Sequence, residues 1–321
     1  MSEHLALVPE RNSKGIDQMM QLLTRRAMLK DGFAVAMAAA YSTVLVDSLW
    51  AEPIIKLPGI QLYTVDKELK QDVEGTLTKV RAIGYREVET AGLANYSPKQ
   101  FRIALQNAGL KCSSSHFFNF GSSDPGPLFE AANALGVHYV VSSGMSQFTN
   151  KPRGATMDAA DFKAMAEFCN QLGEKAKQAG LQFAYHNHNF EFNDLGGGKM
   201  GYDVLLENTD PDLVKLELDC GWMAVADKSP VQYFRRYSNR YRMIHIKDFI
   251  KPTRPSISLA SQDVPQGTVL GTGYIDYHPI LGAAKAAGVE HFYVEQEPPF
   301  IGMTALEAAA RDYAYVRAFS A

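Results

Sequence analysis

The chain has 321 residues, 46% of them apolar and 21% charged, which is enough for one barrel-sized domain of ~250 residues plus an N-terminal extension. A formal charge of −3 provides no basic surface for nucleic acid or anionic lipid and favours a neutral or weakly charged small molecule as the ligand. Cys112, Cys169 and Cys220 form neither a closed disulfide set nor a Cys-x-x-Cys pair, and none is assigned a role.

In chain order, residues 1–51 read as an N-terminal segment separate from a domain at 52–321. Thr24-Arg25-Arg26-Ala27-Met28-Leu29-Lys30 precedes an apolar, alanine-rich run from Gly32 to Val46, and Leu49-Trp50-Ala51 follows. This resembles a twin-arginine export signal, in which paired arginines lead a short hydrophobic stretch and a small-residue cleavage site. The run is too short to span a bilayer comfortably. The expectation is a periplasmic or secreted protein, exported already folded, with no stable membrane anchor after cleavage. An ordinary amphipathic helix on a cytoplasmic protein is the alternative.

From Leu57 onward strands and helices alternate. Five times a helical stretch ends in a glycine that leads into an apolar strand, at Gly84, Gly109, Gly136, Gly180 and Gly288. Glycine suits the left-handed position that closes a helix, and β-branched or aromatic residues then suit a strand buried on both faces. Gly59–Tyr63, Val214–Asp219 and Met243–Asp248 bring the count to eight strands. Ser97-Pro98 predicts a helix start, and Phe162, Met165, Ala166, Cys169 and Leu172 mark the buried face of a helix from Asp161 to Ala179. Eight βα units in a chain of this length predict a closed (β/α)8 TIM barrel in the α/β class. An open doubly wound sheet would want a glycine-rich phosphate loop after its first strand, and Tyr63-Thr64-Val65-Asp66 offers none.

A barrel of this kind carries its chemistry at the C-terminal ends of its strands. His116, His186, His188 and His245 fall at the ends of strands 3, 5, 5 and 7, and Glu89, Asp219 and Glu295 end strands 2, 6 and 8. Residues two apart share a strand face, so Glu217 pairs with Asp219, His245 with Lys247, and Glu295 with Glu297. So many ionisable groups around one mouth call for a compensating cation or polar ligand. Lys247-Asp248 reads either as a surface ion pair or as a functional pair. The glycines of Gly271-Thr272-Gly273 read as a tight turn before a helix begun by Asp276, with a phosphate cradle as the less favoured reading.

Leu218-Asp219-Cys220-Gly221-Trp222, Ile244-His245-Ile246-Lys247-Asp248, Val294-Glu295 and Leu270-Gly271-Thr272-Gly273-Tyr274-Ile275-Asp276 together resemble the xylose isomerase-like TIM-barrel superfamily of sugar isomerases and epimerases. The Tyr185-His186-Asn187-His188 stretch is similar to the inosose dehydratase and 3-keto-glycoside hydratase/lyase branches. The resemblance implies one divalent ion held by Asp219, His245, Glu295 and, where epimerases carry glutamate, His186. Glu217 or Glu191 are the alternatives for that fourth position. A mixed nitrogen and oxygen set favours Mn, Co, Fe or Zn over Mg.

It further implies proton removal α to a carbonyl by Glu295 or His188. Glu89, His116, Glu217 and Lys247 would hold substrate hydroxyls or a developing oxyanion, with Trp222, Tyr63 and Phe117 as stacking surfaces. The implied partner is a small-molecule sugar or polyol and no nucleic acid, with homo-oligomerisation left open. The implied activity is a sugar or polyol isomerase, epimerase or dehydratase; an exported, non-catalytic sugar-binding barrel with a vestigial metal site is the second reading.

Overall fold

A computed structural model of the chain describes residues 54–117, 120, 124–143, 151, 155–260 and 262–319. The Arg25-Arg26 segment and the boundary expected at residue 52 lie outside them. Eight parallel strands close into a barrel: β1 (Pro58–Gln61), β2 (Glu87–Thr90), β3 (Lys111–His116), β4 (Tyr139–Ser142), β5 (Gln182–His186), β6 (Val214–Asp219), β7 (Tyr241–Ile246) and β10 (His291–Val294). Closure comes from β10, which lies between β7 and β1. Between β7 and β10 a short antiparallel pair, β8 (Asp248–Phe249) with β9 (Gly267–Thr268), ties off the base of a long loop. Helices follow the strands around the outside, as expected of a (β/α)8 barrel.

The punctuation read from the sequence accounts for this order. Gly109 and Gly136 close their helices in the left-handed conformation, where a side chain would crowd the carbonyl, and the chain then turns straight into β3 and β4. Ser97 caps its helix in a reciprocal arrangement with Gln100, with Pro98 at the first helical position. The helix Ala159–Gln178, capped by Asp158, buries Phe162, Met165, Ala166, Cys169 and Leu172 as the periodicity predicts.

Strand alternation divides the core in two. Outward residues such as Val88, Phe183, Leu216, Leu218 and Ile244 pack against the helices. Inside the barrel Tyr139, Val141, Ala184, Met243 and Tyr293 form an apolar plug. The residues two further on from the last three of these, His186, His245 and Glu295, stack above the plug at the C-terminal mouth. Pairing registers slip by one residue just before Glu89 and just before Glu217, irregularities of the kind that re-aim a side chain near a site. Among the described residues no helix is long and apolar enough to cross a membrane.

Candidate metal centre and active site

Two tiers of ionisable groups occupy the mouth, and two histidines connect them. In the upper tier His245 Nδ1 lies 2.8 Å from Glu295 Oε2 and 3.8 Å from Asp219 Oδ2, and His186 Nε2 lies 3.7 Å from Asp219 Oδ2. In the lower tier the opposite ring nitrogens meet carboxylates. His245 Nε2 is 2.7 Å from Glu89 Oε2, and His186 Nδ1 is 2.8 Å from Glu217 Oε2. Between these carboxylates sits His116, whose Nε2 is 2.8 Å from Glu217 and 3.2 Å from Glu89. β6 and β7 are in register at Asp219 and His245, which is why two residues 26 apart in sequence present their side chains together.

Asp219, His245 and Glu295 offer ligand atoms that all lie within 4.8 Å of one another, close enough to touch a common ion. Asp219 spends Oδ1 on the backbone N–H of Trp222, capping the next helix, and turns Oδ2 toward the site. That oxygen is buried, accepts no main-chain N–H and lies 2.9 Å from the Lys247 ammonium, the protein's own cation at the site. Such an oxygen, with a buried imidazole and a second carboxylate beside it, fits a divalent cation. His186, His116, Glu217 and His245 make a second convergent group below. A ligand histidine whose other nitrogen rests on a carboxylate is the arrangement that fixes ring orientation at metal sites, and Glu89 and Glu217 occupy that position here.

Electrostatics follow the same division. Burial pushes the Asp219 carboxyl up to about 6. Against its own burial and the repulsion of Glu89, the charges of His245 and His116 bring Glu217 down to about 2. His186 is held well below the usual imidazole range by burial and by repulsion from His245, so it stays neutral with a lone pair to offer. His116, despite its burial, is raised to about 9 by Glu89 and Glu217.

Lys247 is buried in the upper tier. Its Nζ lies 2.9 Å from Asp219 Oδ2, 2.7 Å from Glu295 Oε2 and 2.9 Å from Glu297 Oε1. These carboxylates hold its pKa well above the ordinary value in spite of desolvation. A small cavity of about 200 Å³ opens over the tier, walled by Tyr63, His116, His186, His188, His245, Lys247 and Glu295 among others. Tyr63 stands half exposed at its lip, on the turn after β1.

Several expected roles change. Glu89 and Glu217, expected among the substrate-holding groups, are fully buried beneath the histidines and off the cavity wall; strand alternation sends them inward one level too deep. Glu191 supplies no fourth ligand, because its carboxylate accepts the Tyr185 hydroxyl at 2.7 Å and the His188 backbone N–H at 3.0 Å. β5 ends at His186, so His188 reaches the mouth from a loop that Glu191 anchors and not by strand alternation. Trp222 is buried off the small cavity, with its ring 5.4 Å from Lys247 Nζ and 5.8 Å from the His188 ring.

Lys247 and Asp248 do not pair with each other. Asp248 instead accepts the backbone N–H groups of Gly271, Gly273, Tyr274 and Ile275. The amide cradle that a phosphate would need is thus filled by the protein's own carboxylate, and the tight-turn reading holds.

Two functional residues escaped the sequence reading. Asn187, fully buried, accepts the Asp219 N–H at 3.1 Å and donates to the Asp219 carbonyl at 3.3 Å, fixing the strand end that carries the ligand. Gln61 donates to Glu89 Oε2 at 2.8 Å. The available signal was their position, one between the two histidines and the other ending β1.

The model of the xylose isomerase-like TIM barrel family matches residues 77–312. The chain belongs to this family. Within the xylose isomerase-like barrels it is similar to an inosose dehydratase of Lacticaseibacillus casei, 28% identical over 263 residues that cover 72% of this chain and 85% of that protein. A crystal structure of a sugar phosphate isomerase/epimerase from Parabacteroides distasonis aligns with a TM-score of 0.67 at 27% identity, covering 83% of this chain and 96% of the other. The structure of IOLI protein with a zinc atom aligns at 0.62 with 17% identity, covering 82% and 97%, and shares the fold.

Proposed function

We propose that the protein is a divalent-metal-dependent sugar or polyol isomerase, epimerase or dehydratase that removes a proton α to a carbonyl. Convergence of Asp219, His245 and Glu295 under a small polar cavity carries this reading, and the similarity to inosose dehydratases supports it. Asp219, His245, Glu295 and His186 would hold the ion, with Mn, Co, Fe or Zn favoured over Mg by the imidazole share of the set. A divalent cation bound there would supply Lewis-acid polarisation of the carbonyl.

The protein's own groups divide the remaining work unevenly. Tyr63 offers a ring face at the lip, and Lys247 a fixed positive charge beside Glu295. His188, half-buried on the wall and outside the ligand set, is placed to exchange a proton with a bound polyol, with Glu295 as the other candidate base. Where a symmetric two-glutamate shuttle would need a carboxylate at the end of β5, the chain has His186. This asymmetry favours dehydration: the proton leaves the α-carbon, and the β-hydroxyl departs with a proton as water. Export by the twin-arginine route belongs to the same proposal, on the Arg25-Arg26 motif.

Two measurements test it. Metal content of purified protein falls at least ~10-fold in Asp219→Ala, His245→Ala and Glu295→Ala; unchanged content in all three removes the metal site. With metal bound, wild type exchanges the α-hydrogen of a keto-polyol such as an inosose with deuterated water, and absence of exchange across a panel of keto-sugars favours a receptor over an enzyme.

A further inference from the structure

The small cavity is not the largest space at the mouth. Beside it lies a second cavity of about 750 Å³, and the two share Lys247 and Glu297 as common wall. Its character differs. Trp222, Phe249, Leu259, Val264, Pro298 and Pro299 contribute flat or aliphatic surface, with the Trp222 and Phe249 rings 5.2 Å apart. Lys247, Asp248, Gln266, Gln296 and Glu297 also line it, so a mostly apolar surface shares one wall with a minority of polar groups, the combination by which a pocket orients a mostly apolar ligand.

We propose that the substrate has two parts: a polyhydroxylated, carbonyl-bearing ring over Asp219, His245 and Glu295, and an aromatic, oxygen-bearing substituent in the cavity between Trp222 and the loop before β9. The inference rests on the sugar-directed reading above and extends it from the reacting ring to what the ring carries. Lys247 and Glu297, ion-paired at 2.9 Å, line both spaces, and the proposed substrate lies across that pair, its ring on one side and its substituent on the other. The apolar part of the wall argues for an aromatic group over a second sugar, since an aromatic ring buries its faces against Trp222, Phe249, Leu259, Val264 and the prolines, side chains that offer a sugar's hydroxyls no acceptor. The loop that forms the cavity's outer side is held in place. Asn189 donates to Ser256 Oγ at 2.9 Å and to the Ser258 carbonyl at 3.0 Å, and Ile250 N–H to the Gln266 carbonyl at 2.9 Å.

The test uses full-length protein carrying Trp50→Phe, which leaves Trp222 as the single tryptophan reporter. Phenyl glucoside, methyl glucoside and phenol are titrated by calorimetry and by Trp222 fluorescence. The phenyl glucoside is expected to bind roughly 10- to 100-fold more tightly than the methyl glucoside and to change Trp222 emission. Gly267 provides the control, because a Cβ there would meet nothing closer than the Glu297 carbonyl at 3.6 Å. Gly267→Leu therefore narrows the cavity without forcing the backbone. It is expected to bring the two glucosides within about twofold of each other while metal content and methyl glucoside binding stay at wild-type values. Val264→Asp, at a partly exposed position, places a charge on the same wall and is expected to do likewise.

Equal affinities for the two glucosides in the Trp50→Phe protein overturn the aromatic subsite and leave the sugar reading standing. Binding of phenol with no binding of either glucoside overturns the two-part substrate and counts against the sugar reading. A phenyl preference that survives both Gly267→Leu and Val264→Asp places the aromatic group elsewhere and also overturns the proposal.

Discussion

Lys247 places its ammonium group within 3 Å of three carboxylates, those of Asp219, Glu295 and Glu297. Two of these carboxylates also face the candidate ion position, so protein cation and metal cation neutralise the same charge. Breaking a buried ion pair by removing one partner costs about 3–5 kcal/mol, because the other partner stays buried without compensation. Lys247→Met is therefore expected to lose stability of that order in chelator and to regain part of it when Mn²⁺ or Co²⁺ is added. Thermal denaturation with and without metal checks this: the metal-induced rise in Tm is larger in the variant than in wild type. Asn187 acts on the same site through the backbone. Asn187→Ala removes the side-chain bonds to the Asp219 N–H and carbonyl, and a ligand whose support is removed loses roughly 10- to 100-fold in metal affinity. A metal titration of the variant, with Asn187→Asp as the conservative comparison, measures that loss.

The segment from Leu270 to Ile275 draws its shape from Asp248 more than from its own residues. Asp248 is buried and accepts four of the segment's backbone N–H groups, and a Cβ at Gly273 would fall on its carboxylate. Asp248→Ala would orphan those donors together, so a loss of about 3 kcal/mol or more is expected in urea denaturation, with metal content left at the wild-type level. The element also marks how far the sequence could be read. Helix-ending glycines, the Ser97-Pro98 start and the apolar strand runs are local signals, and the barrel was legible from them. The inward-facing ends of β5, β6 and β7 were legible from period-two alternation, which brought His186, Asp219 and His245 to one mouth. What stayed hidden depends on partners far along the chain. Asp248 meets amides 23 to 27 residues away, and Glu89 meets His245 across 156. Alternation gives the face of a side chain but not its depth, and depth separates Glu89 and Glu217, under the histidines, from Glu295, at the cavity.

Closure of the barrel ties the two ends of the described chain together. β10 pairs with β1, Ile55 N–H reaches the Phe319 carbonyl at 3.1 Å, and the Tyr85 hydroxyl donates to the Ala309 carbonyl at 2.9 Å. The helix Ala305–Val316 adds Asp312, whose Oδ1 accepts the Leu270 N–H at 2.7 Å while Oδ2 is buried with no partner among the described residues. Burial pushes this carboxyl from 3.8 up to about 7. Between those values the folded state holds a proton that the unfolded chain releases, so the folded protein binds more protons and stability falls as pH rises. The contribution is fully present below the unfolded value and is lost as pH climbs through the folded one, at no more than about 1.4 kcal/mol per pH unit. Asp312→Asn keeps an oxygen for Leu270 and removes the titration, and any cost of its buried amide is independent of pH. The stability of wild type minus that of the variant is therefore expected to decline from about pH 4 to about pH 7 and then level off. Chemical denaturation of both proteins at several pH values in the same buffer measures this difference, and a difference constant across the window would show that Asp312 is already ionised in the folded barrel.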